Sequence, residues 1–191
     1  MTDSLKQIVK GNQAGKNLVL GDHNESVFAP QTIASENVKL LVAALQKEIE
    51  QDDQRTEWIE DLVTFNEPFV VDGVRGLEDK LIEAGLEHKR LFAILQKERF
   101  VKFLERNSLF HSAQQLLAFC LHEIFNSFEA FVHPRCGDIQ EAELNELIVD
   151  KVVQPVLNQY SYGSFSLNHS LVWGMIYWLA ERCYIRWHRV A

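Results

Sequence analysis

Apolar residues recur at three- and four-residue spacing through most of the chain, the period of a helix with one buried stripe. Ser35 is placed to cap a helix over about 35 to 51, whose apolar face is Val38, Leu41, Leu45 and Ile49. A short second helix is predicted around Thr56 to Thr64, carrying Trp58, Ile59, Leu62 and Val63. Phe65-Asn66-Glu67-Pro68 stops it, because the residue before a proline disfavours helical backbone. Another helix runs from about Leu77 to Ala84, closed by Gly85, and a longer one from about 86 to 106 carries Leu91, Ile94, Leu95, Phe100, Phe103 and Leu104. The strongest pattern is Ser108 to Val132. There Ala113, Leu116, Leu117, Cys120, Leu121, Ile124, Phe125 and Phe128 cover more than one face, which marks a central helix. Asp138 with Glu141 makes an acidic variant of the capping box for a helix to about Leu157. Asn158 to Phe165 reads as a polar loop, and the last helix is predicted from about Ser166 to His188.

The first 24 residues are of another kind, with short aliphatic pairs alternating with Gly, Asn, Gln and Asp. Ile8-Val9-Lys10-Gly11-Asn12-Gln13 aligns with Leu18-Val19-Leu20-Gly21-Asp22-His23, ten residues on. Each copy reads as a short strand ending in a turn, since Gly and Asn tolerate positive φ. Two strands alone are marginal in water, so this segment is either a tail or an assembly element that pairs with the same segment of another copy. In the second case the contacts fall on Ile8, Val9, Gly11, Asn12, Gln13, Gly15, Asn17, Leu18, Val19, Gly21, Asp22 and Asn24. Lys10 and Lys16 oppose long stacks, which favours a small ordered homo-oligomer over a fibril. Ala29-Pro30 separates residues 1–28 from an α-helical domain over 29–191. The fold class is therefore mainly α, a bundle of about six to seven helices preceded by a short β-type repeat.

Composition narrows the partners. With 47% hydrophobic and 24% charged residues, the 191-residue chain reads as a globular protein. Its 27 acidic and 19 basic residues leave a formal charge of -8, which argues against direct binding to a phosphate backbone. Three cysteines, Cys120, Cys136 and Cys183, form no CxxC pair and fit a reducing cytoplasm. The N-terminus carries no secretory pattern. The most apolar run, Leu171 to Ala180, is ten residues long, whereas a membrane span needs about 20.

Residue spacing along the chain bears on catalysis. His122-Glu123 begins an HExxH-like string, but Asn126 stands where the second zinc ligand would be. Cys120 and His122 lie about 200° apart around a helix axis and cannot share a proton. Cys183 reads as a buried thiol on the stripe of Met175, Ile176 and Leu179. Neither Val74-Arg75-Gly76 nor the Gly11 to Lys16 loop matches a phosphate-cradling motif. No catalytic set, cofactor or metal site is expected, which leaves binding or assembly.

Two blocks carry a resemblance. The first is Lys97-Glu98-Arg99-Phe100-Val101-Lys102-Phe103-Leu104, then Phe110-His111-Ser112-Ala113-Gln114-Gln115 and Phe131-Val132-His133-Pro134. The second is Trp173-Gly174-Met175-Ile176-Tyr177-Trp178-Leu179, leading to Cys183-Tyr184-Ile185-Arg186-Trp187. From about 35 to 188 the chain resembles the C-terminal domains of bacterial ABC-three-component systems, conflict modules in which such a domain accompanies an ABC-type ATPase and a small middle component. Gly174, Met175, Tyr177, Cys183, Ile185, Arg186 and Trp187 fit the family's last motif, Tyr184 stands where the family usually has histidine, and Trp173, Gly174, Met175, Tyr177, Cys183, Tyr184, Arg186 and Trp187 are implied as core or partner contacts. The Gly/Asn repeat is similar to short prion-like signalling motifs that precede this domain in its family. Only about seven residues lie before that repeat, so the resemblance implies an adaptor whose effector acts in trans.

The expected function is that of a non-enzymatic adaptor in a bacterial defence system, joining an ATPase or sensor partner to an effector by oligomerisation. The competing reading is a catalytic or nucleic-acid-directed effector using Cys183, Arg186, His188 and Arg189.

Overall fold

The computed structural model describes residues 34–70 and 73–188. The repeat from Ile8 to Asn24, and Arg189, lie outside the described residues. Within them run eight α-helices: α1 (Glu36–Gln51), α2 (Glu60–Asn66), α3 (Gly76–Glu83), α4 (Arg90–Asn107), α5 (His111–Ser127), α6 (Glu141–Ile148), α7 (Gln154–Tyr160) and α8 (His169–Glu181). A π-helical turn, Val149–Val153, joins α6 to α7 in one rod, so the bundle has seven. Pro155 at the start of α7 lacks an N–H, and the wider turn upstream absorbs that mismatch. No strand occurs among the described residues; Tyr162 and Phe165 form an isolated antiparallel bridge.

α5 is the central helix, as its pattern predicts: Ala113, Leu116, Leu117, Cys120, Leu121 and Ile124 are all fully enclosed. α1 packs on it through Val38, Val42 and Leu45. Ser35 caps α1 as expected, its hydroxyl accepting from Val38 N–H at 3.3 Å, but Ile49 faces outward. The most extensive helix pair is α4 with α8.

Several boundaries differ from the pattern, each for a tertiary reason. α2 starts at Glu60 instead of near Thr56 because the buried Gln114 holds the preceding segment extended. Its Oε1 accepts from Ile59 N–H at 2.7 Å and its Nε2 donates to Glu57 O at 3.0 Å. The same amide donates to Ser108 O at 2.7 Å, and α5 starts only at His111, where the Glu48 carboxylate accepts from Ser112 N–H at 3.1 Å and Ser112 Oγ at 2.8 Å. Asp138 does not cap α6. Gln140 occupies that place without a side-chain bond, and Glu141 turns instead to Lys89 at 3.0 Å and His88 at 3.0 Å.

The largest differences are at α4 and α8. Leu91 and Leu95 are 71% and 52% exposed, and the buried face of α4 is Ala93, Gln96, Phe100, Phe103 and Leu104. α8 begins at His169, capped by Asn168 Oδ1 accepting from Leu171 N–H at 3.0 Å, and ends at Glu181 instead of running to His188. Cys183 has φ +69°, Tyr184 N–H donates to Leu179 O at 2.9 Å, and Cys183 N–H donates to Ala180 O at 3.0 Å. This paired closure is a Schellman motif, with a cysteine where glycine is usual. The Cys183 thiol therefore does not continue the α8 stripe.

Candidate functional site

The second motif block builds the junction of α8, α4 and the returning C-terminal segment. Gly174 sits where the two helices cross. A Cβ there would lie 2.4 Å from Gln96 O and 2.7 Å from Phe100 Cβ, so only glycine permits this approach. Trp178 meets Phe100 edge to face at 5.7 Å, and Arg182 lies over the Trp178 ring at 5.6 Å. Met175 and Tyr177 are buried beside them.

The C-terminus of α8 is closed by residues far upstream. Lys80, 1% exposed, donates from Nζ to Ala180 O at 2.8 Å, and Leu77 N–H donates to a Glu181 carboxylate oxygen at 2.8 Å. A cation at the last carbonyls complements the helix dipole. Beyond the Schellman turn the chain folds back over aromatic side chains. Tyr184 donates its hydroxyl to Thr64 O at 2.7 Å and packs against Phe65, Phe69 and Phe125. Trp187 meets Phe128 at 5.8 Å and Tyr177 at 5.8 Å. The motif residues from Gly174 to Trp187 are thus brought together chiefly as packing, with Trp173 half-buried and stacked on Tyr177 at 5.7 Å.

Of the effector reading's residues, Cys183 and His188 have contacts to backbone carbonyl groups or a ring nitrogen, and Arg189 lies outside the described residues. Cys183 Sγ faces the carbonyl oxygens of Val74 and Glu181, each at 3.9 Å, and His188 O lies 3.3 Å from His133 Nε2. Cys120 is enclosed, and burial, then the charge of Glu123, pushes its thiol well above the ordinary value. His122 stacks edge to face on Phe65 at 4.7 Å. Among the described residues no group of three or more His, Cys, Asp or Glu could hold a metal ion, and no helix is long and apolar enough to cross a membrane.

One stripe of α4 faces outward. Leu91, Leu95, Arg99, Lys102 and Arg106 follow at spacings of four, four, three and four, one side of a helix. All five side chains are exposed. The first half is apolar and is widened by Phe92, 50% exposed, whose ring meets Tyr177 at 6.3 Å. The second half is basic and faces the first turn of α8, where Arg99 donates to Ser170 Oγ at 2.9 Å.

The sequence pattern places Leu91 and Leu95 with Phe100, Phe103 and Leu104 on one helix, and periodicity cannot choose which of its two apolar sides is buried. Lys80, Gln96 and Gln114 were missed as structural groups. The available signal was position: Lys80 falls on the stripe of Leu77 and Leu81, and Gln96 on that of Ala93 and Phe100.

No curated protein and no solved structure matches the chain. One family does, over residues 76–187, more than half of the 191. The match opens at the first residue of α3 and closes on Trp187, so it takes in both sides of the α4–α8 crossing, the Schellman turn and the aromatic return. The chain belongs to the family described as C-terminal domain 9 of the ABC-three component systems.

Proposed function

We propose that the chain is a non-enzymatic adaptor of such a multi-component system. Its helical domain docks a protein component, the ATPase or a sensor, while residues 1–28 join copies and so bring an effector into the assembly. The observation that carries this reading is the division of labour along α4. The side chains of the second motif block are chiefly spent on packing, while Leu91, Phe92 and Leu95 hold their apolar surface in water. A contiguous exposed apolar patch with polar neighbours is what an interface requires before its partner arrives. The net charge of -8 also favours protein over nucleic-acid partners.

The test is co-expression with the ATPase component of the same system. The native chain is expected to co-purify with it, and Leu91→Glu with Leu95→Glu together to lose it while keeping the helical circular dichroism of the native chain. Both side chains point away from the core, so the fold is preserved. Undiminished co-purification of the double variant would refute docking through α4.

A further inference from the structure

The basic half of the α4 stripe borders a cavity of about 390 Å³ lined by Arg99, Lys102, Phe103, Arg106, Asn168, Ser170 and Leu171. Three cations on one wall are unusual in a chain of net charge -8. Elsewhere Lys39, Lys89, Arg90, Arg135 and Lys151 meet carboxylates, Glu36, Glu141, Glu78, Glu143 and Asp150, while the exposed cations Lys47, Arg55 and Arg75, which form no ion pair among the described residues, stand far apart in the sequence. Among the described residues Arg99, Lys102 and Arg106 have no such partner, and no carboxylate lines the cavity.

The opposite wall is also suited to negative charge. It is the first turn of α8, a 13-residue helix whose N-terminal dipole end lies here, with the Leu171 N–H taken by the Asn168 cap. Ser170 is held in place by two bonds, accepting from Arg99 and donating to Oε1 of the buried Gln96. The hydroxyl's proton is donated to Gln96, so Ser170 serves to position Arg99, and the cations and the helix end face one space from two different elements.

We propose that this cleft binds a polyphosphate group, either free or carried by a nucleotide. The seven-residue span from Arg99 to Arg106 covers about 10 Å at a rise of 1.5 Å per residue. That is too long for one phosphate to engage both ends, and it suits two or three linked phosphates. A planar guanidinium at each end can bind phosphate oxygens in pairs, with Lys102 as a point charge between them. A long polyanion is a poorer fit, because the cations are confined to one concavity and the rest of the chain repels it. The cleft belongs to the helical domain and does not depend on docking through Leu91 and Leu95.

The experiment is calorimetric titration of the full chain with sodium pyrophosphate, ATP, inorganic phosphate and a single-stranded oligonucleotide lacking terminal phosphates. Pyrophosphate and ATP are expected to bind one to one, both more tightly than phosphate, and more weakly as salt rises. Equal affinities would assign recognition to the polyphosphate alone, and tighter ATP to a nucleotide; either order supports the cleft. Lys102→Gln with Arg106→Gln should weaken both ligands about tenfold or more, since each lost charged hydrogen bond is worth roughly that factor. Lys47→Gln, an exposed cation of α1, should leave binding unchanged. Absence of pyrophosphate and ATP binding, full binding by the double variant, or tighter binding of the oligonucleotide than of pyrophosphate would each overturn the proposal.

Discussion

Replacing Gly174 by alanine tests the packing of the family motif at its tightest point. In an open helix this change stabilises by about 1 kcal/mol, because glycine loses more backbone entropy and alanine is the best helix former. Here the new Cβ would meet Gln96 O at 2.4 Å and Phe100 Cβ at 2.7 Å. Ordinary contact begins near 3.4 Å and real Cβ atoms almost never come within 3.0 Å, so α8 must move from α4 by about 0.6 to 1 Å. The first obstacle is a helical backbone carbonyl, which cannot swing aside as a side chain would. Overpacking of this kind costs about 1–3 kcal/mol, and a gap of that width also forfeits a quarter to a half of each dispersion contact along the crossing. The penalty outweighs the helix gain, for a net loss of about 2 kcal/mol. Urea unfolding followed by circular dichroism would show it as a lower midpoint at unchanged slope, and thermal unfolding as a fall of roughly 4–8 °C. A midpoint equal to or above that of the native chain would refute the reasoning and mean that the α4–α8 crossing is looser than described.

Two further predictions concern the same junction and the core beneath it. Lys80→Met keeps the volume of a fully enclosed side chain but removes the donor to Ala180 O; stability should fall by about 1–3 kcal/mol in the same urea assay, and an unchanged midpoint would mean the amine does not close α8. Burial pushes the Tyr160 phenol up to about 12, and burial, then the charge of Glu141, also raises Tyr177. The folded chain keeps both neutral while the unfolded chain ionises from near 10, so their contribution is complete below pH 10; that of Tyr160 is lost as pH rises towards 12, and that of Tyr177 declines in the same direction. Urea midpoints should fall through that window, and fall less in Tyr160→Phe; a flat profile would contradict the burial.

The parts of this fold that were legible in the sequence rest on local rules. Ser35 ahead of an apolar stripe places α1, and the dense pattern around Leu117 makes α5 central. Where a distant side chain intervenes, the same rules mislead. Trp58 and Ile59 look helical, but Gln114 holds their backbone extended from the start of α5. The end of α8 was hidden because Cys183 takes the left-handed position that sequence reading looks for in glycine. The apolar character of Leu91 and Leu95 does not tell which side of α4 is buried; the close approach at Gly174 commits α8 to the Ala93–Phe100 side. The spacing of Arg99, Lys102 and Arg106 already puts them on one stripe, yet the opposite wall at Asn168 and Ser170 exists only once α8 has folded against α4.

The adaptor account depends most on the claim that the Gly/Asn repeat joins copies and the helical domain does not. Light scattering on the full chain and on a chain beginning at Val27 measures this directly. The account predicts an oligomer for the first and a folded monomer for the second. An oligomer of the same size in both would contradict it and place the contact between copies on the helical bundle.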